Sequence, residues 1–100
     1  MVFLHVESYS YYVASQAKYG RVFKELGARL KAMRQQSGHS QEDMLSFGFS
    51  TRHWQQIEAG RPVTLTTLLR VCDAFQVTPE KLLRGLYPIS TQTPPQEPRR

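Results

Sequence analysis

Residues 50–60 read STRHWQQIEAG and carry two large apolar residues among many polar ones. Trp54 and Ile57 lie three positions apart, a spacing that places them on one face of an α-helix. Ser50 is a favoured residue at the start of a helix, and Gly60 is favoured just beyond the end of one. The stretch therefore predicts a helix of little more than two turns, with one face buried and the other polar.

The composition fits one small, basic, globular domain. The chain has 100 residues, a formal net charge of +5 and hydrophobic residues at 40% of positions. The basic excess favours an anionic partner such as nucleic acid. Cys72 is the single cysteine, which excludes an intramolecular disulfide and a cysteine-based zinc site and fits a cytoplasmic protein. No stretch approaches the length of a membrane span, so we expect no membrane association.

The two ends of the chain differ from its middle. Residues 2–13, VFLHVESYSYYV, are rich in β-branched and aromatic residues and fit either a strand or a helical lead-in, and Gly20 follows them. The last residues, PISTQTPPQEPRR, are polar and proline-rich. We predict an N-terminal arm at 1–20, which is a candidate dimerisation element, a helical domain at 21–87 and a disordered tail at 88–100.

Apolar spacing and capping residues predict five short helices in the domain. The first runs from Val22 to near Gln36. The second begins at Ser40 in the sequence SQED, where Ser40 and Asp43 form a weak capping box. The third is the helix predicted within residues 50–60, the fourth begins at Thr64 and the fifth begins at Thr78. The apolar sides are expected to comprise Val22, Phe23, Leu26, Leu30, Met33, Met44, Leu45, Phe47, Leu65, Leu68, Leu69, Cys72, Phe75, Leu82, Leu83 and Leu86.

Two short helices joined by a glycine turn form a helix-turn-helix. Residues 26–44, LGARLKAMRQQSGHSQEDM, and 57–83, IEAGRPVTLTTLLRVCDAFQVTPEKLL, together resemble the DNA-binding domain of the phage repressor/Cro family, the Xre type. The resemblance covers about Phe23 to Leu86. It implies an all-α fold, a five-helix lambda-repressor-like bundle whose third helix enters the major groove of DNA.

The polar face of the third helix fits this role. Thr51, Arg52, Gln55 and Gln56 lie opposite Trp54, and glutamine and arginine pair bidentately with adenine and guanine edges. The resemblance implies that Thr51, Arg52 and Gln56 are the main base-reading residues. It places Gln55 at a secondary position that also touches bases.

The resemblance also implies contacts outside the base edges. Ser40, Gln41 and Arg61 match positions near the DNA backbone, and the N-terminus of the second helix adds N–H groups for a phosphate. His53 is a further secondary position. Arg34 matches an arginine that pairs with the glutamate at position 58 and also reaches a phosphate. We expect Arg34 and Glu58 to form a mostly buried ion pair that ties the first helix to the recognition helix.

The sequence departs from the family pattern in two places. The distance from Gln41 to Gly48 is one residue shorter than usual, and Met44 and Leu45 stand where a small residue is usual. A shorter helix or a tighter turn would rotate the recognition helix by about one position. Trp54 is larger than the usual valine or isoleucine and would fill the space that this leaves.

These observations predict a sequence-specific regulator of transcription that binds double-stranded DNA, a repressor located in the cytoplasm on the nucleoid. A homodimer on a two-fold symmetric operator is expected, because one short helix covers few base pairs. The alternative is a protein-interaction module on the same fold, such as an antitoxin with a protein partner. No motif for catalysis, a cofactor or a metal site is present, so we expect neither an enzyme nor a cofactor.

Overall fold

The computed structural model describes the backbone of residues 2–87 and the side chains of residues 19–87. Four α-helices and one 3₁₀ helix follow one another along this part of the chain, which contains no strand, and the predicted all-α class is confirmed. The elements are α1 (Val2–Gln36), the 3₁₀ helix (Glu42–Phe47), α2 (Thr51–Glu58), α3 (Leu65–Phe75) and α4 (Pro79–Leu83). The predicted tail at 88–100 lies outside the described residues.

Helix α1 is longer than the sequence predicts. It ends at Gln36 as expected, with Gly38 in the left-handed conformation just beyond it, but it begins at Val2 instead of Val22. The backbone of the N-terminal arm is therefore helical, and the strand alternative is wrong. Gly20 lies inside the helix and does not end it, because a single glycine costs a helix only about 1 kcal/mol.

The second predicted helix is a 3₁₀ helix in the structure. Its predicted capping box is confirmed, since the Asp43 backbone N–H donates to the Ser40 hydroxyl and the Ser40 N–H donates to the Asp43 carboxylate. Met44 is fully buried, while Leu45 and Phe47 are exposed, contrary to expectation. Side chains three positions apart eclipse in a 3₁₀ helix, so Leu45, the residue after the buried Met44, lies on a different side of the helix.

The core forms around Trp54. This side chain is fully buried beside Phe49, with the ring centroids 5.1 Å apart in an edge-to-face arrangement, and its ring lies 6.0 Å from that of Phe75. The prediction that Trp54 and Ile57 face inward is confirmed. The sequence analysis overlooked Phe49, which follows the turn glycine and is completely buried.

Helices α3 and α4 close the other side of the core. Both begin as predicted, at the N-caps Thr64 and Thr78. The buried stripe of α3 consists of Leu68, Val71 and Cys72, whereas Leu65 and Leu69 are 69% and 44% exposed and were wrongly assigned to the core. On α4 and just after it, Leu82 and Leu86 are buried, while Leu83 is partly exposed at 39%.

Helix α1 also holds α4 through Arg29. Its guanidinium donates through Nη1 to the backbone carbonyls of Leu82 and Arg84, each at 2.8 Å. Those carbonyls lie at the end of α4, where no further helical turn provides donors. A five-residue helix is too short to be stable alone, so this capping by α1 and the burial of Leu82 fix its position.

Helix α2 approaches α1 closely at Gly27. A Cβ atom there would lie 2.5 Å from the carbonyl oxygen of Glu58 and 2.7 Å from that of Ile57. Both obstacles are backbone atoms, so no side-chain rotation relieves the clash. Glycine at this position therefore lets the end of α2 lie directly on α1.

We predict opposite effects for two glycine substitutions in the same helix. Gly27→Ala should destabilise the protein by about 1–3 kcal/mol, because α2 must move away from α1. Gly20→Ala, where a Cβ would meet nothing within 4 Å, should stabilise it by up to about 1 kcal/mol through helix propensity. Chemical denaturation followed by Trp54 fluorescence measures both. Equal effects of the two substitutions would contradict the close approach at Gly27.

Candidate nucleic-acid interface

The outer face of α2 presents its polar side chains to solvent. Arg52 and Gln55 are exposed, and Thr51 and Gln56 are half-buried. The helix begins at Ser50, whose hydroxyl accepts a hydrogen bond from the backbone N–H of His53 at 3.0 Å. The opposite face, with Trp54 and Ile57, is buried, so the rotation of α2 about its axis is fixed by the core. The four side chains predicted to read bases are thus on one side of a well-anchored helix.

The end of α2 is held by a buried ion pair. Arg34 of α1 donates from Nε to Glu58 Oε2 at 2.5 Å and from Nη2 to Oε1 at 3.1 Å, a bidentate arrangement. The two side chains are only 8% and 5% exposed. Arg34 Nη1 donates to the backbone carbonyl of His39, so each guanidinium nitrogen has a partner inside the protein. This geometry directs Arg34 towards the interior and leaves little of it for a phosphate.

Two neutral side chains complete the shell around Glu58. Trp54 donates its indole N–H to Oε2, and Gln41 donates from Nε2 to Oε1 at 2.9 Å. No described buried side-chain nitrogen or oxygen lacks a hydrogen-bond partner. The carboxylate therefore receives donors from α1, from the residue preceding the 3₁₀ helix and from α2 itself.

The pKa values of the pair reflect this shell. Burial alone would raise the pKa of Glu58, but the hydrogen bonds from Arg34, Gln41 and Trp54 outweigh burial and hold it below the usual value. The hydrogen bond to Glu58 raises the pKa of Arg34 above its ordinary value, although burial opposes that change. Both groups are therefore charged in the folded protein at neutral pH.

Gln41 connects the buried carboxylate to the exposed face of α2. Its Oε1 accepts a hydrogen bond from Nε2 of Gln55 at 3.1 Å. A carboxylate can only accept, so Gln41 must turn its NH₂ group to Glu58 and its oxygen outward. Gln55 must in turn present its NH₂ group to Gln41. The direction of both amides is thus determined by the charge on Glu58, and one N–H and the Oε1 of Gln55 remain available to a ligand.

The turn between the 3₁₀ helix and α2 is fixed from α3. Gly48 has φ +90°, a conformation that side-chain-bearing residues rarely adopt. Arg70 donates from Nη2 to the Gly48 carbonyl, and its guanidinium carbon lies 4.4 Å from the centroid of the Phe49 ring. This contact holds the turn that precedes α2.

The remaining predicted residues surround α2. Arg61 is exposed just after the helix, and its backbone N–H donates to the carbonyl of Gln56 at 3.1 Å, part of a Schellman-type ending around Gly60. His53 is half-buried, with its ring centroid 5.9 Å from that of Phe49. Ser40 is exposed and forms the capping box described above.

Sequence reasoning missed part of this site. The Trp54–Glu58 hydrogen bond joins residues four apart on a helix, a spacing that could have indicated it. The Gln41–Gln55 bond and the contact of Arg70 with Gly48 join residues 14 and 22 positions apart, and no local pattern indicates them. Among the side chains at 19–87, no group of three His, Cys, Asp or Glu residues could hold a metal ion.

The fold and the arrangement of α2 match a known type of domain. A family model described as a helix-turn-helix domain matches residues 25–84, which is 60 of the 100 residues. The chain belongs to the helix-turn-helix domain family. The match includes the 3₁₀ helix and α2, and the family is one of DNA-binding domains. No curated protein and no solved structure matches the chain. No helix in the described part combines the length and apolar character needed to cross a membrane.

We predict that Glu58→Ala destabilises the helix-turn-helix protein by about 3 kcal/mol or more, because it leaves the Arg34 guanidinium buried without its counter-charge. Glu80→Ala is the matched control, since that glutamate is 85% exposed and only 3.9 Å from Arg84 at the surface. It should change stability little. Chemical denaturation measures both, and a change under about half a kcal/mol for Glu58→Ala would show that the pair is not needed.

The lowered pKa of Glu58 also predicts a pH dependence. A group with a depressed pKa in the folded state contributes its full stability above its unfolded pKa, near 4.3 for glutamate, and loses it as the pH falls through the folded pKa. The stability difference between wild type and Glu58→Gln should therefore be constant above about pH 5 and shrink below about pH 4. Denaturation at a series of pH values tests this, and a difference that stays constant to pH 2 would contradict it.

Proposed function

We propose that this protein is a sequence-specific transcriptional regulator, a repressor of the phage repressor/Cro (Xre) type, that reads the major groove of double-stranded DNA with α2. One observation carries the proposal: α2 exposes Arg52 and Gln55 on one face, while Glu58 and the apolar residues on its other face fix its position rigidly. A rigid polar helix face suits base recognition, because little side-chain or helix ordering remains to be done on binding.

The exposed face offers complementary chemistry for base edges. Arg52 can donate two hydrogen bonds to guanine O6 and N7. Gln55 and Gln56 can each pair with adenine through N6 and N7, and the methyl group of Thr51 suits a thymine methyl. The bond from Gln55 to Gln41 is compatible with this role, because it uses only one of the four hydrogen-bonding positions of the Gln55 amide.

Other residues would hold the DNA backbone. Arg61 is an exposed cation placed by the helix ending of α2, and Gln41 keeps one N–H free beside the recognition helix. Ser40 and His53 are at the edge of the same surface. These contacts would set the orientation of α2 without distinguishing between sequences.

The protein acts on DNA as a homodimer in this proposal, in the cytoplasm on the nucleoid and without catalysis. Helix-turn-helix dimers bind two half-sites separated by one helical turn of DNA or a multiple of it, so the operator is two-fold symmetric. Two copies of α2 then contact twice as many base pairs as one. The N-terminal residues 1–20 are the proposed dimerisation element.

The alternative is a protein-interaction module, such as an antitoxin with a protein partner. The exposed leucines Leu65 and Leu69 favour it, because they lie four residues apart on the outer side of α3. Selection of bound duplexes from a random library separates the two functions. Enrichment of one sequence supports the regulator, whereas no enrichment combined with co-purification of a partner protein supports the alternative.

We predict that Arg52→Ala relaxes the preference at one base position, because a bidentate contact is worth about 1–3 kcal/mol of discrimination. Arg61→Ala is the matched control, since both arginines are exposed and flank the same helix. It should weaken binding to all sequences alike and reduce the salt slope by about one unit. Identical selection profiles for wild type and Arg52→Ala would mean that Arg52 does not read bases.

A further inference from the structure

Three side chains connect a buried charge to the outer face of α2. The side chain of Glu58 is 5% exposed, and its Oε1 accepts a hydrogen bond from Gln41 Nε2 at 2.9 Å. Gln41 is half-buried, and its Oε1 accepts a hydrogen bond at 3.1 Å from Nε2 of the exposed Gln55. We call these three residues the relay, because their hydrogen bonds run without a gap from the interior to the surface of α2.

Each link of the relay has one direction. A carboxylate only accepts hydrogen bonds, so the NH₂ group of Gln41 faces Glu58 and the oxygen of Gln41 faces Gln55. Gln55 therefore turns its own NH₂ group towards Gln41. The oxygen and the nitrogen of an amide lie on opposite sides of the side chain, so Oε1 of Gln55 lies on the side away from Gln41.

The atom on that outer side decides which bases Gln55 can pair with. In the major groove adenine and cytosine present amino groups, N6 and N4, which donate hydrogen bonds. Guanine and thymine present keto oxygens, O6 and O4, which accept them. An amide oxygen that is held outward can bond to an amino group, whereas a keto oxygen in the same place would leave two acceptors in contact without a hydrogen atom between them.

We propose that Glu58 determines base specificity from the interior: through Gln41 it holds Oε1 of Gln55 outward, so that Gln55 selects an amino base over a keto base. Adenine is favoured over cytosine, because the second N–H of Gln55 can donate to adenine N7. This inference rests on the proposed function, since it concerns a base that α2 reads. Glu58 is buried and acts through Gln41, so it is a positioning residue.

The substitution Glu58→Gln should reverse the relay. Oε2 of Glu58 accepts from Arg34 Nε and from the Trp54 indole N–H, and both of these groups carry donors only. Oε1 accepts from Arg34 Nη2 and from Gln41, which alone among these partners can turn over and present an oxygen. The nitrogen of the new amide is therefore expected on the Oε1 side, where it donates to Gln41. Gln41 then donates to Gln55, and the NH₂ group of Gln55 turns outward.

Selection of bound duplexes from a random library tests the proposal. Gln55→Ala first identifies the base position that Gln55 reads, because the preference at that position is lost. Wild type should select adenine or cytosine there, by about fivefold or more over guanine and thymine. Glu58→Gln should select guanine or thymine at the same position, while the position that responds to Arg52→Ala keeps its preference.

A second variant breaks the relay without changing the buried ion pair. In Gln41→Leu the hydrogen bonds of Arg34 and Trp54 to Glu58 remain, so this variant should fold even if Glu58→Gln does not. The amide of Gln55 is then free to rotate, and amino and keto bases should be selected alike at its position. In the double variant Glu58→Gln/Gln41→Leu the profile should equal that of Gln41→Leu, since Glu58 acts on Gln55 only through Gln41.

Leu82→Ala is the control for lost stability. This leucine is buried in α4 and takes no part in the relay, so its truncation should destabilise the protein and leave the base preferences unchanged. Denaturation followed by Trp54 fluorescence verifies that each variant is folded under the selection conditions.

The outcomes separate this inference from the proposed function. A wild type that enriches no sequence would overturn both. An enriched sequence with a keto base at the Gln55 position, or an amino preference that survives in Gln41→Leu or in folded Glu58→Gln, would overturn the relay alone and leave base reading by α2 intact.

Discussion

The buried carboxylate of Glu58 is the interaction on which the other parts of the site depend. Its two oxygens accept hydrogen bonds from Arg34, Gln41 and Trp54, so one charge joins α1, the residue before the 3₁₀ helix and α2. Burying a carboxylate costs several kcal/mol unless its charge and hydrogen bonds are satisfied. The structure satisfies them with a bidentate arginine and two neutral donors, and the same contacts fix the end of α2 nearest to α1.

This constraint extends from the interior to the surface. Because Glu58 can only accept, it fixes the direction of the Gln41 amide, and Gln41 fixes that of Gln55. Gly27 permits the arrangement by letting the last carbonyls of α2 lie against α1. Gln55, an exposed side chain on the outer face of α2, is therefore oriented by a buried charge, which lowers the entropy that it would otherwise lose on binding a ligand.

The sequence predicts the parts of the structure that depend on local pattern. Caps at Ser50, Thr64 and Thr78 locate three helix starts, because an N-cap side chain bonds only to the first turn of its own helix. The sequence does not predict the properties that depend on tertiary packing. The exposure of Leu65 and Leu69 depends on which side of α3 meets the core, and apolar spacing allowed either of two overlapping stripes. The continuation of α1 to Val2 overrides a β-prone composition, which is a weak preference by comparison with an uninterrupted helix.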